Sequence, residues 1–533
     1  MAATAPPAAA LAAGLTQHIA WTPLLPVLIP ACLAVAVLVA DLFLPPARKA
    51  LLGWATAAGL LAAALTLVPL RGDPRATFCQ LPTRSPHTAD CSYVTDHFTL
   101  AVQALVLGGA LVTALLSIST LDEMPAGEFW FLLLASVTGA ALLPAARDLA
   151  TLVIALEVTT LPAFALVAMR RGDRLASEAA LKFFLTSVAA TAVTLLGVSF
   201  VYAATGSLHM DTVAHGIPRA PEQLHTLAKA GAALTVVGFA FKLAVTPFHF
   251  WVPDTYAGAP VPIAAYLSVV GKAAGFAGLI LVTEIAFRPY ADTWGPALGI
   301  LAALTMTVGN VGALRQRPEA GRGAVRLLAW SSIGQAGYLL VPLAAQAADR
   351  APGYQVGTTI AYALMYGVVN FGAFAVTALV TRGAPRGRLT DFRGLSASRP
   401  LASLALAFFL LCLAGLPPGV IGLFAKVAVF SSAVDARHGW LAVIMAVNVV
   451  IALVYYLRWA ALLFVRPQEA PSGAEASSGA TGGDAAGTAL VAPAVPARTP
   501  LALAAAVALT AVAGLVLSGA PQIVLRYAQG ALL

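Results

Sequence analysis

Four lysines stand inside stretches that are otherwise apolar: Lys182 in SEAALKFF, Lys242 in FAFKLAV, Lys272 in VVGKAAG and Lys426 in LFAKVAV. A lysine at mid-membrane depth costs about 2.5–3.5 kcal/mol on insertion scales, so it stays only where something needs it. Only six of the chain's 31 basic residues are lysines; the rest are arginines. Arginine is charged at any accessible pH, whereas a desolvated lysine can give up its proton. If these four positions served only as fixed positive charges, arginine should appear among them. The choice of lysine points to reversible protonation. For Lys182, near the start of its apolar stretch, the alternative is a side chain that snorkels to the interface.

Glu157, in TLVIALEVTTLPAF, is the carboxylate closest to the middle of an apolar stretch and is the natural counter-charge. A carboxylate beside a buried lysine keeps both charged, and drawing the two apart frees the proton. The alternative is a static ion pair. Ser331, Ser332, Gln335, Tyr362, Tyr366, Asn370 and His249 are further polar residues within apolar segments, where a helix–helix hydrogen bond is the ordinary role. Arg458 is intramembrane but permanently charged, which suits an electrostatic role.

The elements that carry these groups are membrane helices. Of 533 residues, 60% are hydrophobic and 10% charged, which describes a polytopic membrane protein rather than a soluble enzyme. Apolar stretches of about 20 residues recur roughly fourteen times, so the fold class is all-α with about 14 transmembrane helices. Two of them are interrupted. The seventh (227–250) holds Lys242 and Thr246-Pro247, and the twelfth (401–430) holds Pro417-Pro418 and Lys426. Freed backbone groups at that depth survive only inside protein or beside water, and a broken helix next to an ionisable group marks an ion path. The two breaks lie five helices apart. An odd offset runs the two units through the membrane in opposite directions, as two inverted repeats.

The net charge of +8 comes from arginines in short loops, which fits membrane topology better than nucleic-acid binding. Loops after odd-numbered helices hold sixteen basic residues against ten on the other side, which places both termini outside. MAATAPPAAALAAGLTQHIAW lacks the basic start of a cleaved signal peptide. Cys79 and Cys91 share one polar loop, where a disulfide persists only if that loop faces outside. No Cys/His metal cluster, P-loop or dinucleotide fingerprint is found, so the chain is expected to hold no metal and no cofactor. Residues 468–497 are Gly-, Ala- and Ser-rich and read as a flexible linker.

LEVTTLPAFALVA, SEAALKFFLTSVAA, FKLAVTPFHFWVPDTYAGAPVPIAAYLSVVGKAAGF, LAWSSIGQAGYLL and LAGLPPGVIGLFAKVAVF, in that order along the chain, resemble the signature stretches of subunit N of proton-translocating NADH–quinone oxidoreductase, respiratory complex I. The similarity runs from about residue 96 to 465. Lys426, where the sister subunit M carries glutamate, and the wording PDTYAGAP and KFFLTSVAA favour N. The resemblance implies a proton relay of Glu157, Lys242, Lys272 and Lys426 with Lys182 auxiliary, in the plasma membrane of a bacterium. It also implies other membrane-arm subunits as partners, with NADH, FMN, iron–sulfur clusters and quinone handled elsewhere in the complex. The alternative function is a subunit of a multi-subunit cation/proton antiporter with no redox partner. Gln335 departs from the family, whose members often carry histidine there. The implied division is helices 1–3 in residues 1–125, a first antiporter-like repeat in 126–290 (helices 4–8) and a second in 291–466 (helices 9–13). The linker (467–498) and a last helix (499–533) follow.

Overall fold

Because lipid offers no hydrogen bonds, each apolar stretch must satisfy its own backbone, and it does so by coiling into a helix. The computed structural model describes residues 19–79, 91–120, 124–346, 354–465 and 499–528. The expected linker and the N-terminal eighteen residues lie outside them. Among the described residues thirteen helical segments are long and apolar enough to cross a membrane, consistent with an all-α polytopic fold.

The first half comprises α1 (Leu25–Asp41), α2 (Ala50–Leu65), α3 (His97–Ile118), α4 (Ala126–Leu142), α5 (Leu149–Val167), α6 (Arg174–Thr205) and α7 (Glu222–Lys242). After a short helix α8 (Trp251–Gly258) comes α9 (Val261–Ala286), wound as π-helix at Leu267–Gly271 and again at Val282–Ala286. Then follow α10 (Ala291–Leu314), α11 (Gly323–Gln346), α12 (Tyr354–Gly383), α13 (Pro400–Ala414), α14 (Val420–Asp435), α15 (Gly439–Leu462) and α16 (Leu501–Gly519). Helices α9, α11 and α12 are almost wholly buried and form the centre. Peripheral helices turn apolar side chains outward: Val443, Val447 and Val450 make an exposed stripe on α15 at helical spacing. Such a face suits lipid rather than water.

Sequence caps set several ends. The Asp96, Asp148 and Asp173 side chains accept backbone N–H groups at the starts of α3, α5 and α6. Between α2 and α3 the chain forms an antiparallel hairpin, β1 (Arg75–Cys79) and β2 (Cys91–Thr95), which the helical reading did not anticipate. Cys79 and Cys91 face each other in its register and are joined by a disulfide.

Both breaks are present, and one differs from expectation. The seventh span is not helical through 227–250; α7 stops at Lys242. Ala244 turns into the left-handed region at φ +58°, and Pro247, which disfavours helix at Thr246 and has no N–H to bond back to Leu243, keeps α7 from continuing; the helix resumes only at α8. Lys242 is therefore the last residue of a helix, not a mid-helix one. The twelfth span is two half-helices, α13 and α14, each too short to cross alone. Gly415, at φ +85°, ends α13 in a conformation that a side chain would resist. α10 and α11 lie backbone to backbone. A Cβ on Gly309 would fall 2.2 Å from the Gly334 nitrogen, so glycine there lets the helices approach closely enough to fix Ser331–Gln335 in place.

Candidate functional site

Glu157 on α5 and Lys242 at the end of α7 come together as expected. The Lys242 ammonium lies 3.3 Å from Glu157 Oε1 and donates to Ser187 Oγ at 2.6 Å. Thr191, one turn beyond Ser187 on α6, donates to the same Glu157 oxygen at 2.6 Å. Thr160 Oγ1 lies 3.4 Å from Glu157 Oε2 and 3.5 Å from Lys242 Nζ. At an effective dielectric constant of 20 the attraction across 3.3 Å is about 5 kcal/mol, comparable to the several kcal/mol each ion gives up on leaving water. The pair is thus close to balance, and modest changes in its surroundings decide whether it holds. Lys242 also sits where the carbonyl end of α7 favours positive charge.

Lys272 follows the first π-helical stretch of α9. It is 3% exposed and donates to the Ser332 carbonyl and, at 3.1 Å, to Ser332 Oγ. Among the described residues it has no carboxylate partner. Lys242 and Lys272 line one cavity of about 30 Å³, closed by Thr159, Thr160, Phe183, Trp251 and Tyr266. That volume admits about one water molecule, with hydroxyls and amines to hold it. Tyr266 is fixed by Ser136 at 2.8 Å, and Ser136 donates to the Thr159 carbonyl at 2.6 Å, so the wall between the two lysines is itself hydrogen-bonded.

Lys426 on α14 reaches back across the second break. Its ammonium donates to the carbonyls of Leu413 and Ala414 at 2.8 Å each and lies 5.6 Å from the centre of the Tyr338 ring. Those carbonyls are the open end of α13, where the helix dipole supplies partial negative charge. Gln335, one turn from Ser332 on α11, accepts from the Tyr362 hydroxyl. Gln335, Tyr362, Tyr366 and Lys426 share a second small cavity of about 20 Å³. Ser332 thus holds Lys272, and Gln335 faces Lys426. The first of these residues binds one lysine and the second shares a cavity with the next.

Lys182 is not brought to this line. It lies on the outer face of α6, 45% exposed, paired with Glu178 at 2.8 Å and Asp254 at 2.9 Å. Asp254 also binds Arg326 at 2.6 Å, and these groups rim a cavity of about 210 Å³. Nearby, in the loop before α6, partial burial pushes the Asp173 carboxyl up. The Arg322 guanidinium bonded to it at 2.6 Å more than offsets that, and the carboxyl ends below the usual range. His249 contacts Thr246 at 3.4 Å within the first break, and Arg458 is exposed on α15.

Ser187, Thr191, Thr160, Tyr266 and Tyr338 complete the site and were not singled out by the sequence. Ser187 and Thr191 are four residues apart on the helix that carries Lys182, so their shared face was readable. Serine and threonine at such spacing are common in membrane helices, and only the partner across the gap gives them meaning. Ser331, Ser332, Gln335, Tyr362, Tyr366 and Asn370 do make the interhelical hydrogen bonds expected of them, and Ser332, Gln335, Tyr362 and Tyr366 also hold or border the lysines.

The family model described as "NADH:quinone oxidoreductase/Mrp antiporter, TM" matches residues 146–452. The NADH-quinone oxidoreductase subunit N 2 of Streptomyces griseus subsp. griseus is 64% identical over 520 residues, covering 98% of this chain and 95% of that protein. Among solved structures, a chain of respiratory complex I from Thermus thermophilus with bound aureothin is 32% identical with a TM-score of 0.72, covering 95% of this chain and all of that one. A chain of the Mrp complex from Dietzia sp. DQ12-45-1b has a TM-score of 0.78 over 96% of each chain, at 22% identity, which shows a shared fold.

Proposed function

The chain belongs to the subunit N family of NADH–quinone oxidoreductases, and from that premise we propose that it is a proton-translocating membrane subunit of such a complex. NADH oxidation, FMN, the iron–sulfur clusters and quinone belong to other subunits, and the other membrane-arm subunits are its partners. It works in the plasma membrane of a bacterium with both termini outside. Residues 126–290 and 291–466 act as two inverted units around the central lysine.

One observation carries the relay reading: the shared cavity of Lys242 and Lys272 and the Ser332–Gln335 turn that leads on to the cavity of Lys426. Electron transfer to quinone elsewhere draws Glu157 and Lys242 apart. The Lys242 ammonium then passes a proton across the small cavity to the neutral amine of Lys272. Lys272 hands it on by way of Ser332, Gln335 and water to Lys426, and Lys242 is reprotonated from the cytoplasmic side. Lys182 and Asp254, at the rim of the larger cavity, collect protons there. Each step moves one proton between an ammonium and an amine, and no electron passes through the chain. The lysine-to-lysine line also supports the rival reading, an antiporter subunit without redox partners, but that reading rests on a likeness of fold at 22% identity.

In the reconstituted, fully assembled complex, Lys242→Ala is expected to lower the number of protons moved per electron. An unchanged ratio with the complex intact would remove the relay reading. Co-purification with flavin and iron–sulfur subunits separates the respiratory complex from the antiporter.

A further inference from the structure

The line of lysines ends at Lys426, inside the protein, and something must take the proton to the outer face. On α12 the buried polar residues Gln355, Thr359, Tyr362, Tyr366 and Asn370 recur every three or four positions and so share one face. They cover about 22 Å of helix, most of the membrane's hydrocarbon thickness. Asn370 binds Ser268 Oγ at 2.7 Å beside the Lys272 segment, Tyr362 faces Lys426, and Gln355 accepts from Ser432, six residues beyond Lys426 on α14. The stripe therefore runs past both lysines and continues to the end of α12 that the loop charges place outside.

At that end Val356, next to Gln355, lines an open cavity of about 510 Å³ together with Glu284, Asp96, Arg147, Asp211, His215 and Arg288. Asp96 is engaged by Arg147, and Asp211 lies 3.6 Å from the His215 ring. Glu284 is different. It sits on the second π-helical stretch of α9, its Oε1 is buried without a hydrogen-bond partner among the described residues, and it forms no ion pair with them. A carboxyl left so can carry a proton without first breaking a strong contact, and π-helical turns are frequent at working sites.

We propose that Glu284 is the proton-release group of this subunit, fed from Lys426 along the polar face of α12. The Lys426 ammonium gives a proton, through hydroxyls and water, to the Glu284 carboxylate, leaving an amine and a carboxylic acid. The acid then gives that proton to water in the outer cavity and returns to carboxylate. The inference rests on the relay reading above.

The test compares protons moved per electron in reconstituted complex carrying Lys426→Met, Glu284→Gln or Glu284→Asp. Lys426→Met and Glu284→Gln are expected to fall to the same ratio, with Glu284→Asp retaining the wild-type value. In infrared difference spectra of the working complex, a protonated-carboxyl band should disappear in Glu284→Gln and shift in Glu284→Asp. A wild-type ratio for Glu284→Gln beside a lowered one for Lys426→Met overturns the release role and leaves the relay standing. Wild-type ratios for both overturn the relay as well. If Glu284→Gln does not assemble, Glu284→Asp decides, and a carboxyl band that ignores the substitution overturns the proposal.

Discussion

Replacing Lys426 by arginine and by methionine separates charge from proton transfer. The Lys426 ammonium donates to two carbonyls at 2.8 Å, at the open end of α13. Hydrogen bonds from a charged group contribute about 1.5–3 kcal/mol each, and the dipole adds up to about 2 kcal/mol in a buried geometry. A guanidinium has the donors to keep both bonds, so Lys426→Arg should assemble with stability near wild type. Its deprotonated share at neutral pH, however, is below about 10⁻⁵, and the relay should stop there. Lys426→Met leaves both carbonyls unsatisfied at about 1–3 kcal/mol each, so roughly 2–6 kcal/mol opposes the gain from no longer burying a charge. The assay is protons moved per electron in reconstituted complex, with thermal stability measured in parallel. Lys426→Arg is expected to be stable and to have the lowered ratio. A wild-type ratio for it would refute reversible protonation at this position.

Two further substitutions probe the surroundings. Gln335→Leu removes the acceptor that binds Tyr362 and borders the Lys426 cavity, so it should lower the same ratio while Gln335→His keeps it; equal ratios in the two variants would argue against passage through this residue. Asp173→Ala removes the cap of α6 and the Arg322 pair, and losing the cap alone costs about 1 kcal/mol, seen as a lower melting temperature of the purified complex. The Asp173 carboxyl is held below its usual range in the folded chain, so its stabilisation is present above the ordinary carboxylate range and fades as pH falls through the lowered value. The gap between wild type and variant should therefore close on acidification, and a gap independent of pH would contradict the pairing.

The lysines of the proposed relay were legible because membrane depth makes a charge conspicuous and arginine's absence makes it specific. Glu157 followed as the nearest opposite charge. Both breaks were legible from proline, but the end of α7 was not: apolar residues continue past Lys242, and only the left-handed turn at Ala244 shows where the helix stops. Ser187 and Ser332 could not be ranked above other serines without knowing which lysine each faces. The stripe on α12 was half seen, through Tyr362, Tyr366 and Asn370, and extending the same spacing back to Thr359 and Gln355 would have completed it. Glu284 lies near the end of an apolar stretch, where the sequence does not set it apart from a solvated carboxylate, whereas one of its oxygens is buried and unpaired among the described residues. Strands β1 and β2 carried the strand-favouring residues Thr77, Phe78, Tyr93, Val94 and Thr95, but five residues inside a polar loop are too short to compete with the helical pattern around them.

Lys272 is the link on which the account depends, because it lines the Lys242 cavity and also donates to Ser332. The direct measurement is the proton-to-electron ratio of the assembled, reconstituted complex carrying Lys272→Met. The account predicts a ratio lowered by this subunit's whole share, equal to that of Lys242→Ala. A ratio equal to wild type, with the complex intact, would contradict it.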